Sequence, residues 1–279
     1  MLRSFAVLIL GSQLLTASQP AAFRERAKPY LDSALAAGQQ FVVLSAASAM
    51  PNVSPDSLVT LLGSYLASVT AAGTAPYPKS LGAIILQIQD SAGAIHQPPL
   101  LYVSPDQINF LLPAAAATGT AIITIINAAG SPLSAKFEIQ PVAPALFTAN
   151  ENAQGVVSAT AYHTVLPTTL AVPIPVYQCL DTPDSCQSVP LPLGIDTPVF
   201  VTLNATGLRG RSSDSAVRLT IAGQQIRIQA INALDDDSSR AGIDQIFFPV
   251  PLTLRGAGEV DLSIGVDTAT SNTARINIQ

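Results

Sequence analysis

Tryptophan is absent from this sequence, and cysteine and histidine occur only twice each among 279 residues. Charged residues make up 11% of the chain, and the 13 basic ones are scattered rather than clustered. Because phosphate binding relies on clustered Lys and Arg, this composition argues against nucleic acid as a partner. The hydrophobic fraction of 48% is too high for a disordered chain, so we expect packed cores.

The two histidines limit the acid–base and metal chemistry that the chain can perform. His96 falls in a turn-like GAIHQPP segment and His163 in a Pro-rich crossover, so we interpret both as solvated loop side chains. Nucleophilic catalysis needs a base beside the nucleophile, and neither a G-x-S-x-G motif nor a His-rich metal motif is present. The sequence therefore predicts no catalytic residues, no cofactor and no enzymatic activity.

The lack of tryptophan also weighs against a glycan-binding surface, which usually offers exposed aromatic platforms. Six Tyr and nine Phe remain. Phe110, Phe247 and Phe248 lie in apolar strand-like segments, so we expect these three rings to fill cores. Tyrosines such as Tyr65 are candidates for exposure, but nothing in the sequence marks them.

The first residues have the pattern of a secretory signal. A single positive charge at Arg3 precedes a short apolar run from Phe5 to Leu15, and small residues follow. We expect cleavage between Ser18 and Ala22. A retained membrane anchor is the alternative, but the apolar run is well short of the ~20 residues that a spanning helix needs. The sequence predicts a signal peptide over residues 1–22, a secreted or cell-surface protein, and no membrane span after cleavage.

The two cysteines, Cys179 and Cys186, fit an exported chain. Export favours a disulfide between them, and Pro183 and Asp184 suit the tight loop that it would close. A metal or redox pair is the competing interpretation. Two Cys without a nearby His cannot complete a zinc site, and the spacing is not C-x-x-C.

Strand patterns dominate beyond an N-terminal arm at residues 23–40, which we expect to hold one short helix from Tyr30 to Ala37. Apolar and polar residues alternate with period two in several segments, which places the aliphatic side chains on one face of a strand. Such one-sided strands favour an antiparallel sandwich. The clearest examples are VRLTIAGQQIRIQAI from Val217, EVDLSIGV from Glu259 and ARINIQ from Ala274.

An internal repeat organises the chain. Asp106-Gln107-Ile108-Asn109-Phe110 with Pro113 recurs as Asp244-Gln245-Ile246-Phe247-Phe248 with Pro251, and each copy leads into two strand-like segments. Upstream, Val59-Thr60-Leu61 with Leu66 matches Val201-Thr202-Leu203 with Leu208. The segment from Pro55 could also be a helix, but its partner from Pro198 has strand character, so we predict strands at both positions.

The fold class that follows is all-β, with two immunoglobulin-like antiparallel β-sandwich modules related by internal duplication. Module one spans residues 41–141 and module two residues 142–279. A Pro-rich insertion in module two carries the disulfide loop. We expect it to add strands, with the proline-containing ones at a sheet edge.

These residues resemble a known family. The segments VLSAASAMPNVSPDSLVTLLGSYLA, PLLYVSPDQINFLLP, VAPALFTANENAQGVVSA and VFVTLNATGLRG, with the C-terminal GIDQIFFPVPLTLRGAGEVDLSIGVDTATSNTARINIQ, are similar to the Solibacter-type C-terminal domain family of exported acidobacterial proteins. That family is related to bacterial Ig-like and IPT/TIG-like modules. The resemblance implies a secreted β-sandwich and supplies no catalytic residues.

Acidic residues supply the remaining site candidates. Asp235, Asp236 and Asp237 form the densest charge run and are weak candidates for a Ca²⁺ site, although consecutive loop residues point in different directions. A solvated loop is the simpler interpretation. Asp106 and Asp244 recur before equivalent strands, and we interpret both as turn-capping carboxylates rather than paired sites.

Together these features predict a secreted or cell-surface, non-catalytic structural or protein-interaction module. The alternative is an extracellular carbohydrate-binding module. The partner would be an unknown protein in the first case and a surface polysaccharide in the second. Any specific function is expected in the parts that the two copies do not share, chiefly residues 150–195 and the acidic loop.

Overall fold

A computed structural model of the protein describes residues 17–127, 130–164, 171–180, 185–234 and 240–279. Within these ranges the chain is mostly β, with several antiparallel sheets and one α-helix, α1 (Ala21–Ala36). We call residues 41–141 the first half and residues 142–279 the second half. No helix in the described ranges is long and apolar enough to cross a bilayer.

The strands of the first half form two sheets. They are β1 (Phe41–Ser45), β2 (Leu58–Gly63), β3 (Ala71–Ala72), β4 (Ser80–Leu81), β5 (Ile84–Gln89), β6 (Ile95–His96), β7 (Leu100–Val103), β8 (Gln107–Leu111), β9 (Gly119–Asn127) and β10 (Leu133–Ile139). One sheet has the order β1-β2-β8-β7-β3, and the other has the order β10-β9-β5-β4, with β6 paired to β5. Their facing aliphatic side chains form one buried core.

The second half also places two sheets around a core of its own. Its strands are β11 (Ala145–Leu146), β12 (Ala159–Thr164), β13 (Ala171–Ile174), β14 (Tyr177–Gln178), β15 (Gln187–Ser188), β16 (Val199–Thr206), β17 (Val217–Ile221), β18 (Gln224–Ile226), β19 (Ala230–Ala233), β20 (Asp244–Pro249), β21 (Gly258–Val266), β22 (Ala269–Thr270) and β23 (Ala274–Ile278). One sheet has the order β13-β12-β16-β20-β19, with β11 on β16. The other has the order β18-β17-β21-β22, with β23 on β21, and β14 and β15 pair separately. Short 3₁₀ helices lie at Asp214–Ala216 and Leu252–Leu254.

Corresponding strands of the two halves pair in the same register. The order β1-β2-β8-β7 matches β12-β16-β20-β19, and β10-β9-β5 matches β23-β21-β17. The matching residue pairs are Val59–Phe110 with Val201–Phe248, Leu61–Ile108 with Leu203–Ile246, Ala135–Ile123 with Ala274–Leu262, and Leu86–Ile125 with Leu219–Ile264. The segment from Pro55 is therefore a strand, β2, as the repeat predicts.

The N-terminal helix is longer than the sequence pattern predicts. We expected a short helix from Tyr30 to Ala37, whereas α1 begins at Ala21 and continues through Pro29. The missing N–H of a proline inside a helix costs a hydrogen bond, and this discourages a helix in a local analysis. Packing on the first-half sheet compensates, because Phe23 and Ala27 are buried against strands β1 and β2.

The two halves meet through a small apolar cluster. Leu58 and Leu111 of the first half pack with Phe147 and Ile243 of the second. The Leu58 backbone N–H also donates to Thr206 Oγ1 across this junction at 3.1 Å. The outward side of the first-half β1-β2-β8 sheet is therefore covered twice, by α1 and by the second half.

Candidate functional site

Three aromatic rings lie together on one face of the second-half sheet. Tyr162 on β12 is directly opposite Phe200 on β16. Phe247 on β20 pairs with Thr202, the next residue of β16 on the same face. Their ring centroids are 5.2 to 6.3 Å apart, and their planes lie within 19° of one another. We call these three rings the aromatic face.

The aromatic face points away from the core because strand side chains alternate. On β16, Val199, Val201 and Leu203 are buried in the second-half core, whereas Phe200 and Thr202 between them are only partly buried. The same alternation on β20 buries Ile246 and Phe248 and turns Phe247 outward. Period two thus fixes which rings face outward.

A row of amide and hydroxyl groups continues the same surface. Gln245 Nε2 donates to Asn204 Oδ1 at 3.2 Å, and Asn204 Nδ2 donates to Ser158 Oγ at 3.2 Å. Thr160 and Thr202 face each other between this row and the rings. Ser158 is buried, so the groups open to a ligand are the Asn204 and Gln245 amides and the Thr160 and Thr202 hydroxyls. Amides and hydroxyls both donate and accept, which suits a ligand rich in hydroxyl groups.

Charge is missing from this surface within the described residues. By strand alternation the outward positions of β12, β13, β16, β19 and β20 carry aromatic, proline, alanine, amide and hydroxyl side chains. They are Thr160, Tyr162, Thr164, Ala171, Pro173, Phe200, Thr202, Asn204, Ala230, Asn232, Gln245, Phe247 and Pro249. A ligand that binds here would meet apolar rings and neutral hydrogen-bonding groups.

Phe247 corrects one expectation from the sequence. We expected Phe110, Phe247 and Phe248 to fill cores, and Phe110 and Phe248 are fully buried. Phe247 is not, because consecutive strand residues point to opposite faces. A signal was present, since the repeat matches Phe247 with the polar Asn109.

The recurring aspartates lie in different surroundings. Asp106 is half-exposed and contacts Arg24 of α1 at 2.8 Å. Asp244 is buried, accepts from the Leu208 N–H and from Arg209 Nε at 3.0 Å each, and lies near the junction between the halves. Burial raises the pKa of Asp244, whereas its bonds to Leu208 and Arg209 act in the opposite direction. Arg209 also reaches Asp56 of the first half at 3.8 Å.

The cysteine and acidic-loop predictions have different outcomes. Cys179 and Cys186 are joined in a disulfide. Cys186 is buried in a small cluster with Ala149 and Val156. Residues 235–237 lie outside the described residues. Among the residues that are described, no group of three or more His, Cys, Asp or Glu side chains could hold a metal ion.

His96 is not the solvated loop side chain that we expected. It lies on β6, and its Nε2 is 2.8 Å from Asp90 Oδ2, with only 15% of its side chain exposed. Hydrogen bonds, first from the Ala117 N–H and then from His96, lower the pKa of Asp90 to about 2. His163 lies on β12 opposite Val199 and is partly exposed.

The Pro-rich stretch supplies strands to the second half. β12 and β13 extend its sheet, and β13 with Pro173 lies at the edge, as expected for a proline-containing strand. An open groove of about 440 Å³ lies beside the disulfide. Glu259 is the carboxylate among its described lining residues, and it pairs with Arg275 at 3.5 Å.

Comparison with known proteins gives distant structural likeness and no family. A scan against protein-family models finds no match, and a search of curated proteins finds none either. The resemblance to the Solibacter-type family thus stays a prediction. Among solved structures, the chain is similar to the Bacteroides ovatus mixed-linkage glucan utilization locus protein SGBP-B, solved with a mixed-linkage heptasaccharide. The identity is 13% and the TM-score is 0.33, over 82% of this chain and 43% of that chain. A TM-score this low does not establish a shared fold.

Proposed function

We propose that this chain is an exported, non-catalytic protein that binds a neutral polysaccharide on its aromatic face. The observation that carries the proposal is the cluster of Tyr162, Phe200 and Phe247 on an uncharged outer sheet surface. This reverses the order of the two functions that the sequence favours, because Tyr162, Phe200 and Phe247 form an outer aromatic surface although tryptophan is absent.

The aromatic face suits the mixed chemistry of a sugar chain. A pyranose ring has apolar C–H faces and a rim of hydroxyls, so it needs both an apolar surface and hydrogen-bonding groups. The three nearly parallel rings supply the first, and the amides of Asn204 and Gln245 with the hydroxyls of Thr160 and Thr202 supply the second. Rings that already contact one another also lose little side-chain entropy on binding.

The absence of charge on this described surface favours neutral polymers over uronic acid polymers. No outward Lys or Arg is there to pair with a ligand carboxylate. An acidic polymer would lose hydration without gaining an ion pair, which is costly. We therefore expect neutral glycans to bind more tightly than acidic ones.

We also propose that the two halves are immunoglobulin-like sandwich modules that arose by duplication, with residues 41–141 as module one and 142–279 as module two. The matched strand order and residue register support this proposal. Export is supported by the disulfide and by the signal-like N-terminus.

A protein-interaction role is the competing proposal, because a partly exposed aromatic surface can also dock a protein. A binding panel distinguishes the two. The mature chain is incubated with insoluble cellulose, xylan, curdlan and starch, and with the acidic gels of alginate and polygalacturonate. We expect saturable retention on at least one neutral polymer. Retention on none of them would contradict the glycan proposal and favour the protein partner.

Variants locate the binding surface. Tyr162→Ala, Phe200→Ala and Phe247→Ala should each weaken retention tenfold or more. Phe137→Ala is the matched control, because Phe137 is a partly buried aromatic residue on a first-half strand. It should lower stability without changing retention. Equal losses in all four variants would show that folding, rather than the aromatic face, controls binding.

A further inference from the structure

Tyr65 is the most exposed large apolar residue in the described part of the chain, with 90% of its surface open to solvent. It follows strand β2, and its backbone φ is 59°. Residues with a β-carbon rarely adopt this left-handed backbone conformation, because the β-carbon comes too close to the following carbonyl oxygen. A bulky tyrosine at such a position therefore strains the backbone.

The second half shows what this turn requires. Gly207 holds the corresponding position after β16, with a φ of 80°. A β-carbon on Gly207 would collide with the Ala143 carbonyl oxygen, so only glycine fits there. The next residues, Leu66 and Leu208, are both buried. The same turn is thus formed twice, once with glycine and once with a strained tyrosine.

The strain at Tyr65 is offset by little packing, since its ring is almost fully exposed. The turn itself is fixed. The Gly63 N–H donates to the Asp106 carbonyl at 3.2 Å, and the Leu66 N–H donates to the Pro105 carbonyl at 2.8 Å. The ring is therefore held out into solvent by an ordered backbone, an arrangement that is more often found at binding sites than elsewhere.

We propose that Tyr65 is a second contact for the same neutral polysaccharide, separate from the aromatic face. This proposal rests on the proposed function. Residues 64–70 carry no charged side chain, and the neighbouring Asp106 carboxylate is paired with Arg24 at 2.8 Å. One ring covers about one sugar unit, whereas a stable protein interface needs about 800 Å² on each partner. Two contacts on one molecule would strengthen retention on a surface that displays many chains.

The test compares Tyr65→Gly with wild type in three measurements. These are the thermal midpoint, the half-saturating concentration on the insoluble neutral polysaccharide that retains wild type best, and the affinity for a hexasaccharide of that polymer. We expect a higher midpoint, because glycine relieves the strain, and about tenfold weaker retention on the polymer. The hexasaccharide affinity should stay within twofold, because a single short ligand is bound by the aromatic face.

Ala222→Gly is the matched control. Ala222 is also exposed and has a φ of 51°, but it lies in the β17–β18 turn. It should raise the midpoint and leave both binding measurements unchanged. Unchanged polymer retention by Tyr65→Gly would overturn the second contact while the aromatic face stands. Failure of wild type to bind any polymer would overturn both proposals. Loss of polymer retention in Phe247→Ala but not in Tyr65→Gly would overturn only the proposed Tyr65 contact.

Discussion

The outer faces of two corresponding sheets differ although their inner faces are alike. At the positions of Phe200 and Phe247, the first half has Leu58 and Asn109. Leu58 packs into the junction, and Asn109 accepts a hydrogen bond from Thr60 in a buried row. In the first half this face is used to hold the molecule together, and in the second half it carries partly exposed aromatic rings. The core-facing side chains, which are alike in the two halves, thus specify the sandwich. The outward-facing side chains, which differ, determine what each sheet contacts.

The packing of α1 on the outward side of the first-half sheet should be essential for stability. Phe23 of α1 is fully buried against Val42 and Leu44. Phe23→Ala should lower the free energy of unfolding by about 3–4 kcal/mol, because it removes a large core side chain and leaves a cavity. Denaturant titration measures this loss. Polysaccharide retention should stay unchanged at temperatures where the variant is folded, and a parallel loss of retention would contradict the division between the two faces.

The junction between the halves depends on a buried carboxyl group. Asp244→Ala should cost about 3 kcal/mol, because it removes the buried carboxylate that accepts from the Leu208 N–H and the Arg209 Nε–H. Asp244→Asn keeps the shape and one acceptor oxygen, so its loss should be smaller. Asp106→Ala is the exposed counterpart and should cost under about 1 kcal/mol. Equal costs for Asp244→Ala and Asp106→Ala would contradict the difference between them.

The aromatic face should contribute little to stability. Phe247→Ala removes two ring contacts from a partly exposed site, so we expect a loss of only about 1 kcal/mol. Chemical denaturation of Phe247→Ala beside Phe23→Ala checks this difference directly. A cost for Phe247→Ala as large as that for Phe23→Ala would mean that the rings serve the fold.

Acid should weaken the first half through Asp90. Its pKa is lowered from 3.8 to about 2, so it binds a proton more readily in the unfolded chain than in the folded one. The stability that it contributes is complete above pH 3.8 and is lost as the pH falls toward 2. Unfolding curves between pH 5 and 2 should show this slope in wild type and a shallower one in Asp90→Asn. Parallel slopes would contradict the role of Asp90. The second-half hairpin β17–β18 turns through Ala222 and Gly223 and has no such carboxylate.

Much of the fold could be predicted from local patterns. The alternation at Val217 and Val260, and the repeat of Asp106 at Asp244, indicate strands and their matched pairing. The length of α1 could not be predicted in this way. The helix continues through Pro29 because Phe23 is packed against the first-half sheet, and not because of local helix propensity. Propensity is a weak guide where packing decides.

The aromatic face was missed for a different reason. Its rings come from three strands that are far apart in the sequence, and only the pairing of β12 with β16 and β20 brings them together. Period-two alternation places Phe247 with Gln245 on one face of the strand and Phe248 with Ile246 on the other, which indicates that Phe248 faces the core. The polar Asn109 at the corresponding position of the first half also indicates that Phe247 faces outward.

The most direct test of the central claim follows aromatic ring signals of the labelled chain by NMR during titration with a neutral hexasaccharide. We expect the ring C–H signals of Tyr162, Phe200 and Phe247 to shift together and saturate, while those of the buried Phe110 and Phe248 stay in place. Saturable shifts that spare Tyr162, Phe200 and Phe247, or no shifts with any neutral glycan that the chain retains, would contradict the account.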